Sequence, residues 1–132
     1  LLILGGIQFV PVERTNPPVE TTSVGPEGIM NVFRRACFDC HSNETVWPWY
    51  GQVAPFSWLV ARDVNRGREK LNFSTWNRLD MREQERLQAE IWKRVKSGDM
   101  PPPFYNLGHP EALITTDNHP VVRKWCRVAS GG

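Results

Sequence analysis

The sequence predicts an all-α protein, and both its periodicity and its composition support that prediction. Amphipathic segments are separated by prolines and glycines, whereas alternating apolar and polar runs, which would indicate strands, are few. The length of 132 residues suits one domain. A hydrophobic fraction of 40% and a charged fraction of 23% are typical of soluble globular chains and argue against intrinsic disorder. We therefore expect one domain of about four helices.

The N-terminal segment differs from the rest of the chain. Residues 1–10 are apolar and uncharged, but they are too few to span a bilayer, which needs about 20 apolar residues. They fit the end of a signal or membrane anchor, which we favour, or an apolar arm that lies on the domain. Residues 11–24 contain Pro17-Pro18 without periodicity, which is typical of an extended connector. We predict an anchor remnant with its connector over residues 1–24 and the folded domain over residues 25–132.

The first predicted helix begins near Pro26, because proline suits the first helical turn. Ile29, Phe33 and Cys37 follow at intervals of four residues and share one face, with Cys40 alongside. We therefore expect this helix to present both thiols to the core at its C-terminal end.

The second helix is predicted over residues 55–67. Pro55 suits its start, Gly67 marks its end, and Trp58, Leu59 and Val64 form its apolar side.

The third helix is predicted to start after Ser74 or Asp80, either of which can act as a cap, and to continue to about Lys96. Ser97-Gly98 ends it. Its apolar face consists of Leu87, Ile91 and Val95.

The fourth helix follows Thr115 or Thr116 as cap and takes Pro120 into its first turn. Its predicted inner side consists of Val121, Val122, Trp125 and Val128.

A CxxCH motif occupies residues 37–41 and contains two of the three cysteines. Chance would produce such a string with a probability on the order of 10⁻³ at this composition. Two thiols one helical turn apart can reach two vinyl groups on neighbouring edges of a porphyrin, and the adjacent imidazole then lies beneath the iron. The motif therefore predicts one haem c attached covalently through Cys37 and Cys40, with His41 as the proximal iron ligand.

Three other interpretations of the motif remain open. A zinc site would need Cys126 with His109 or His119 to complete four ligands, without the paired spacing of zinc ribbons. A thioredoxin-like pair would open a helix after a strand, whereas this pair is predicted to close one. The third is two ordinary buried cysteines next to a histidine.

The second axial ligand of the iron is expected to be Met100. Met30 lies on the helix of the motif, roughly 10 Å upstream at 1.5 Å per residue, and Met81 falls near a helix start. Met100 directly follows the third helix, and residues 101–103, all prolines, would hold the backbone extended and present the thioether rigidly. His109, His119 and an open coordination position are the alternatives.

Other side chains have weaker assignments. Four aromatic residues could wall the haem or donate to a propionate, or serve in ordinary packing: Trp47, Trp49, Tyr50 and Trp58. Three arginines could pair with propionates, although solvated helix-face charges are the simpler interpretation of each: Arg62, Arg66 and Arg68. Cys126 is expected to be an inert buried thiol.

Several motifs together resemble the family of small haem-binding-domain c-type cytochromes. The similar segments include residues 37–45, Trp47-Pro48-Trp49-Tyr50 and residues 98–102, and the resemblance extends from about Ile7 to Trp125. It implies a mostly helical, cytochrome c-like domain wrapped around a single haem. It also implies a protein that is exported and often tethered by an N-terminal hydrophobic segment.

The predicted function is electron transfer. His/Met ligation leaves no open coordination position, which favours one-electron cycling between ferric and ferrous iron over enzyme activity. A formal charge of +2 excludes a strongly basic nucleic-acid binder. The electron-transfer function implies redox proteins as partners, and the near-neutral charge argues against a strongly charged one. We expect a monomer located in the periplasm or on the outer face of a bacterial cytoplasmic membrane, with membrane contact only through an N-terminal anchor in the precursor. A haem sensor or peroxidase-like domain, in which Met100 dissociates, and a zinc-stabilised interaction module are the alternative functions.

Overall fold

The computed structural model describes residues 1–127, and those residues form helices and turns without a β-strand, which confirms the all-α prediction. The α-helices of this range are α1 (Leu2–Gly6), α2 (Glu27–Ala36), α3 (Phe38–His41), α4 (Phe56–Lys70), α5 (Met81–Ser97), α6 (Pro103–Gly108) and α7 (His119–Trp125). Short 3₁₀ helices cover Ile7–Phe9, Trp49–Gln52, Phe73–Arg78, Pro110–Ala112 and Thr116–Asn118. The four predicted helices correspond to α2 with α3, to α4, to α5 and to α7, whereas the sequence does not predict α1 or α6.

The first predicted helix is interrupted at Cys37. That residue has φ −123° and ψ −31°, outside the helical region, so α2 ends before it and α3 begins after it. The expectation that one continuous helix carries both thiols is therefore wrong. The interruption redirects the chain, and α3 packs along α4.

α4 continues beyond the predicted end at Gly67 to Lys70. Gly67 is buried inside the helix, and a Cβ atom added there would overlap the carbonyl oxygen of Cys40. The prediction that Gly67 terminates the helix is therefore wrong, because this glycine is required by the close approach of α3.

The start of α5 is set by Asp80, which decides between the two predicted caps. The Asp80 carboxylate accepts from the Glu83 N–H at 2.8 Å, and the Glu83 side chain accepts from the Asp80 N–H, which completes a capping box. Ser74 belongs instead to the preceding 3₁₀ helix. At the other end, Gly98 adopts a left-handed conformation with φ 78°, which confirms the predicted stop.

The last helix is entered through a 3₁₀ turn. Thr115 and Asn118 form a capping box around that turn, and Pro120 lies in the first turn of α7 as predicted. Val122 is fully buried, and Trp125 packs against the core. Val128, the fourth residue of the predicted inner face, lies outside the described residues.

The hydrophobic core lies where α2 meets α7 and the 3₁₀ helix Phe73–Arg78, called the 73–78 turn below. Phe33 and Phe73 stack with ring centroids 4.6 Å apart, and Phe33 and Trp125 form a T-shaped pair with centroids 4.9 Å apart. Met30 is part of this core and is 1% exposed. These aromatic contacts hold α2, and thus the start of the CxxCH segment, in a rigid environment.

Residues 11–24, the predicted connector, form no regular secondary structure, and both they and the preceding N-terminal segment are hydrogen-bonded to the domain. The side chain of Gln8 donates to the Ala54 carbonyl at 3.1 Å and accepts from the Ala54 N–H at 2.9 Å. Arg14 donates to the Gly51 carbonyl at 3.0 Å. Within the described residues, no helix has both the length and the apolar character needed to cross a membrane. The domain boundary at residue 24 stays a prediction.

Candidate functional site

The imidazole of His41 is held by two backbone carbonyl groups at the end of α4. Its Nδ1 lies 3.0 Å from the Gly67 oxygen and 3.1 Å from the Leu71 oxygen. Both partners are acceptors, so Nδ1 must carry the proton. The opposite nitrogen, Nε2, forms no hydrogen bond with any described residue and has a free lone pair. This is the tautomer and orientation that an imidazole needs to bind a metal.

Burial also keeps His41 neutral. Desolvation lowers the pKa of this imidazole, and the two carbonyl acceptors, which favour the protonated form, only partly oppose it. The neutral ring can therefore donate its Nε2 lone pair without first losing a proton.

The two thiols of the motif flank one tight turn. The N–H groups of Cys40 and His41 donate to the Cys37 carbonyl at 3.2 and 2.9 Å, which preserves a helical turn across the interruption. Cys37 and Cys40 are free and partly buried. Burial raises the pKa of Cys37 to about 12 and that of Cys40 to about 11, so both thiols are protonated at neutral pH. Cys37, Cys40 and His41 thus lie on one hydrogen-bonded turn.

Arg68 stabilises the loop that follows His41. Its guanidinium donates to the Ser42 carbonyl at 2.7 Å and to the Thr45 hydroxyl at 2.9 Å. It also donates to the Thr15 carbonyl at 2.8 Å and to the Asn16 side chain at 2.9 Å, which ties the connector to the loop. Arg68 is therefore neither a solvated helix-face charge nor free to pair with a propionate. The sequence carries no signal for this role, because its partners come from distant segments.

Polar side chains complete the support of the same loop. The Ser42 hydroxyl donates to the Phe38 carbonyl at 2.7 Å, and the Asn43 N–H donates to the Ser74 hydroxyl at 2.9 Å. Asn72 donates to the Asn43 side chain at 2.9 Å. Ser42, Asn43 and Thr45, which follow CxxCH in the sequence, are thus buried and hydrogen-bonded to the surrounding chain.

Asp39, inside the motif, connects the loop to the region that follows Met100. Its carboxylate accepts from the Tyr105 hydroxyl at 2.6 Å and from the Val46 N–H at 2.9 Å. Tyr105 in turn stacks on His109 with ring centroids 4.3 Å apart and planes at 15°. Sequence reasoning missed Asp39 and Tyr105, and no local pattern could have paired residues this far apart.

The candidates for a second iron ligand differ in their environments. The Met30 sulfur lies in the core and accepts from the Val24 N–H at 3.4 Å, while Met81 is 78% exposed. His109 uses both ring nitrogens, one toward the Tyr50 hydroxyl at 3.0 Å and the other toward Glu111 at 3.2 Å. Met100 is 37% exposed in the loop between α5 and α6. Met81 and Met100 are both thioethers that no described residue engages, but only Met100 lies on the segment that leads to Tyr105, whose hydroxyl bonds Asp39 of the motif. The role of Met100 as a ligand stays a prediction.

One of the four predicted aromatic residues has an unsatisfied donor. The Trp47 Nε1 atom is buried without a hydrogen-bond partner among the described residues. Leaving such a donor unpaired costs about 1–3 kcal/mol, so the position suits an acceptor supplied by a ligand, such as a haem carboxylate. Trp49 is 79% exposed, and the Tyr50 hydroxyl already bonds His109.

Large apolar side chains are exposed in the attachment loop, residues 37–46, which contains the CxxCH motif, and in segments that follow it in the chain. They are Val46, Trp49, Phe56 and Phe104. Exposed apolar surface of this kind suits contact with a large apolar group. The free imidazole nitrogen, the paired thiols, the unpaired indole N–H and these apolar side chains all fit a haem.

Comparison with known proteins supports the same assignment. The family model of the haem-binding domain matches residues 2–128, nearly the whole chain. No curated protein and no solved structure shows a significant match. With the geometry of His41 and the CxxCH turn, the match shows that this chain belongs to the haem-binding domain family.

Proposed function

We propose that the chain is a monohaem c-type cytochrome that transfers electrons. Cys37 and Cys40 would hold the haem covalently, and His41 and Met100 would be the axial ligands. The observation that carries the proposal is the state of the His41 imidazole, which follows Cys40 directly in the chain. Its Nδ1 is fixed by the Gly67 and Leu71 carbonyls, while its Nε2 stays free, and both thiols of the motif are free.

The bound haem would supply an iron that exchanges one electron between its ferric and ferrous states. The chain's own residues keep the geometry constant during that exchange. The two carbonyl acceptors hold the His41 ring in one orientation and increase the basicity of Nε2. Gly67 lets α3 pack directly on α4, and Arg68 clamps the following loop. A ligand held this rigidly needs little rearrangement when the charge of the site changes.

Met100 would occupy the other axial position. A thioether ligand favours the ferrous state and raises the reduction potential. Because both axial positions would be filled, substrate chemistry at the iron is disfavoured, and we propose that the protein is a carrier and not an enzyme. Its partners would be redox proteins, and it would act as a monomer.

The proposed location is the bacterial periplasm or the outer face of the cytoplasmic membrane. Support comes from the N-terminal helix, in which Leu2 is 94% exposed and Ile3 is 80% exposed. Such an apolar, uncharged segment suits an anchor in the precursor better than an arm packed on the domain, because α1 contains no buried residue.

The attachment chemistry can be tested directly. After expression with a cytochrome c maturation system, the wild-type protein should retain haem in a denaturing gel stained for peroxidase activity. The double variant Cys37→Ala/Cys40→Ala should lose that signal, because neither thioether can form. Cys126→Ala is the matched control, since it removes the third cysteine and should keep the stain. Haem that survives denaturation in the double variant would contradict the proposal.

A further inference from the structure

We infer that Tyr105 is a positioning residue, which holds the Met100 loop against the haem-attachment turn through its hydrogen bond to Asp39. The inference rests on the proposed function, because it assumes that Met100 is an iron ligand. It assigns to Tyr105 the control of how readily that ligand leaves the iron.

The loop that contains Met100 is held by backbone hydrogen bonds. The Asp99 and Met100 N–H groups donate to the Arg94 carbonyl at 3.0 and 3.2 Å, which anchors the loop to α5. On the other side, the Tyr105 N–H donates to the Pro102 carbonyl at 2.9 Å. Met100 is therefore connected to Tyr105 by a short, internally bonded segment, and a displacement of α6 would move the Met100 side chain.

A hydrogen bond of Tyr105 links α6 to the attachment turn. The residues of α6, Pro103–Gly108, are exposed or, like Tyr105 and Asn106, only partly buried. Apolar burial therefore contributes little to its position, which gives its polar contacts more weight. Its contact with the attachment turn is the bond from the Tyr105 hydroxyl to the Asp39 carboxylate, at 2.6 Å. A bond of this length to a charged acceptor belongs to the stronger class of hydrogen bonds.

Asp39, the acceptor of this hydrogen bond, is held in one orientation. The other oxygen of Asp39 accepts from the Val46 N–H at 2.9 Å, and the Asp39 carbonyl accepts from the Thr45 hydroxyl at 2.7 Å. Asp39 is thus fixed at both its side chain and its backbone, two residues before His41 in the chain. A carboxylate oriented in advance loses little entropy when it binds Tyr105.

Tyr105, the donor of this hydrogen bond, is also held in one orientation. Tyr105 is oriented by stacking on His109, whose ring is held in turn by Tyr50 and Glu111. Burial and the bond to Asp39 raise the pKa of Tyr105 well above its usual range, so its hydroxyl keeps the proton that it donates. The link therefore joins a fixed acceptor on α3 to a fixed donor on α6.

The test is the displacement of Met100 by free imidazole in the ferric, haem-loaded protein. Tyr105→Phe keeps the stacked ring and removes only the hydroxyl. Loss of the tether should make displacement easier, so the variant should bind imidazole about tenfold more tightly than the wild type. Its weak near-infrared band, which reports methionine ligation, should disappear at correspondingly lower imidazole concentrations.

Asp39→Asn provides a second route to the same result and guards against a folding failure of one variant. It should also tighten imidazole binding, and adding Tyr105→Phe to it should change the affinity little, because the two residues act through one bond. Ser97→Ala is the matched control: it removes a hydroxyl that donates only to its own helix, to the Arg94 carbonyl at 3.2 Å, beside the same loop. Its imidazole affinity should equal that of the wild type.

The outcomes distinguish a failure of the positioning role of Tyr105 from a failure of Met100 ligation. If the wild type has the near-infrared band and Tyr105→Phe binds imidazole as the wild type does, the positioning role is refuted while the proposed ligation stands. Additive effects of Tyr105→Phe and Asp39→Asn would also overturn it. A wild-type protein that lacks the band would refute Met100 ligation and, with it, this inference.

Discussion

At the residue scale, His41 shows how backbone atoms can prepare a side chain for metal binding. The acceptors of its Nδ1–H lie 26 and 30 residues further along the chain, at the end of α4. They select the tautomer, and burial lowers the pKa of the ring so that it stays neutral. Neither effect can be read from the CxxCH string, which predicts the ligand but not what orients it.

Trp47 gives a prediction at the same scale. If its buried Nε1–H donates to a haem carboxylate, Trp47→Phe should destabilise the loaded protein by about 1–2 kcal/mol more than it destabilises the haem-free Cys37→Ala/Cys40→Ala protein. The loss of ring volume and of the contact with Arg68, whose guanidinium lies 5.9 Å from the centroid of the Trp47 ring, is common to both backgrounds, so the difference isolates the ligand contact. Urea unfolding of the four proteins measures it. Equal losses in both backgrounds would assign Trp47 to packing alone.

At the element scale, the packing of α3 on α4 determines the geometry of the attachment turn. α3 is only four residues long and cannot be stable alone, so it depends on its neighbour. The close approach is possible because position 67 lacks a side chain and faces the Cys40 backbone. Cys40 and His41 are therefore placed by a helix that follows them in the chain.

Gly67→Ala should consequently destabilise the protein by about 1–3 kcal/mol, because the new Cβ would overlap the Cys40 carbonyl oxygen and push α3 away. The haem spectrum or the reduction potential should change as well, since His41 would move. Thermal or urea unfolding and a redox titration provide the two readouts.

Gly28→Ala is the matched control for that substitution. Gly28 also lies within a helix, but a Cβ there would meet only the Val121 side chain, at an ordinary contact distance of 3.8 Å. Because alanine favours the helix, this variant should gain about 0.5–1 kcal/mol of stability and keep the wild-type spectrum. If both variants were equally stable, the tight contact at Gly67 would have no energetic importance.

At the scale of the whole molecule, distant segments converge on the attachment loop. The connector reaches it through Arg68, the 73–78 turn through Ser74, and α6 through Tyr105. The described part of the chain thus builds one continuous frame around residues 37–46, in which most polar groups are paired within the protein. Such a frame suits a site whose ligands must not move when an electron arrives or leaves.

Met100→Ala tests this view of the complete site. Without the thioether, the near-infrared band should vanish, the reduction potential should fall, and the ferrous protein should bind carbon monoxide at neutral pH, because an axial position would open. Met81→Ala is the control, since Met81 is 78% exposed and should not affect the spectrum. Carbon monoxide binding by the wild type itself would favour a sensor or peroxidase-like function over a carrier.

The parts of the fold that could be predicted are those that depend on local chemistry. The stop at Gly98 follows from backbone preferences within a few residues and agrees with the structure, and Asp80, which the structure shows as the cap, is one of the two caps that local side-chain preferences allow. The interruption at Cys37 and the continuation of α4 through Gly67 could not be predicted, because each depends on the packing of α3 against α4. A glycine that ends a helix and a glycine that admits a neighbouring backbone look the same in a sequence.

The sequence by itself determined the all-α class and the resemblance that the family match confirms, and it predicts the chemistry of the CxxCH turn. These depend on residue types at short, fixed spacings. Only the tertiary structure decided that Gly67 and Leu71 orient His41, that Arg68 serves the loop, and that Asp39 meets Tyr105. Those contacts join residues far apart in the chain, and a hydrogen bond has no sequence signature when its two partners are brought together only by the packing of other elements.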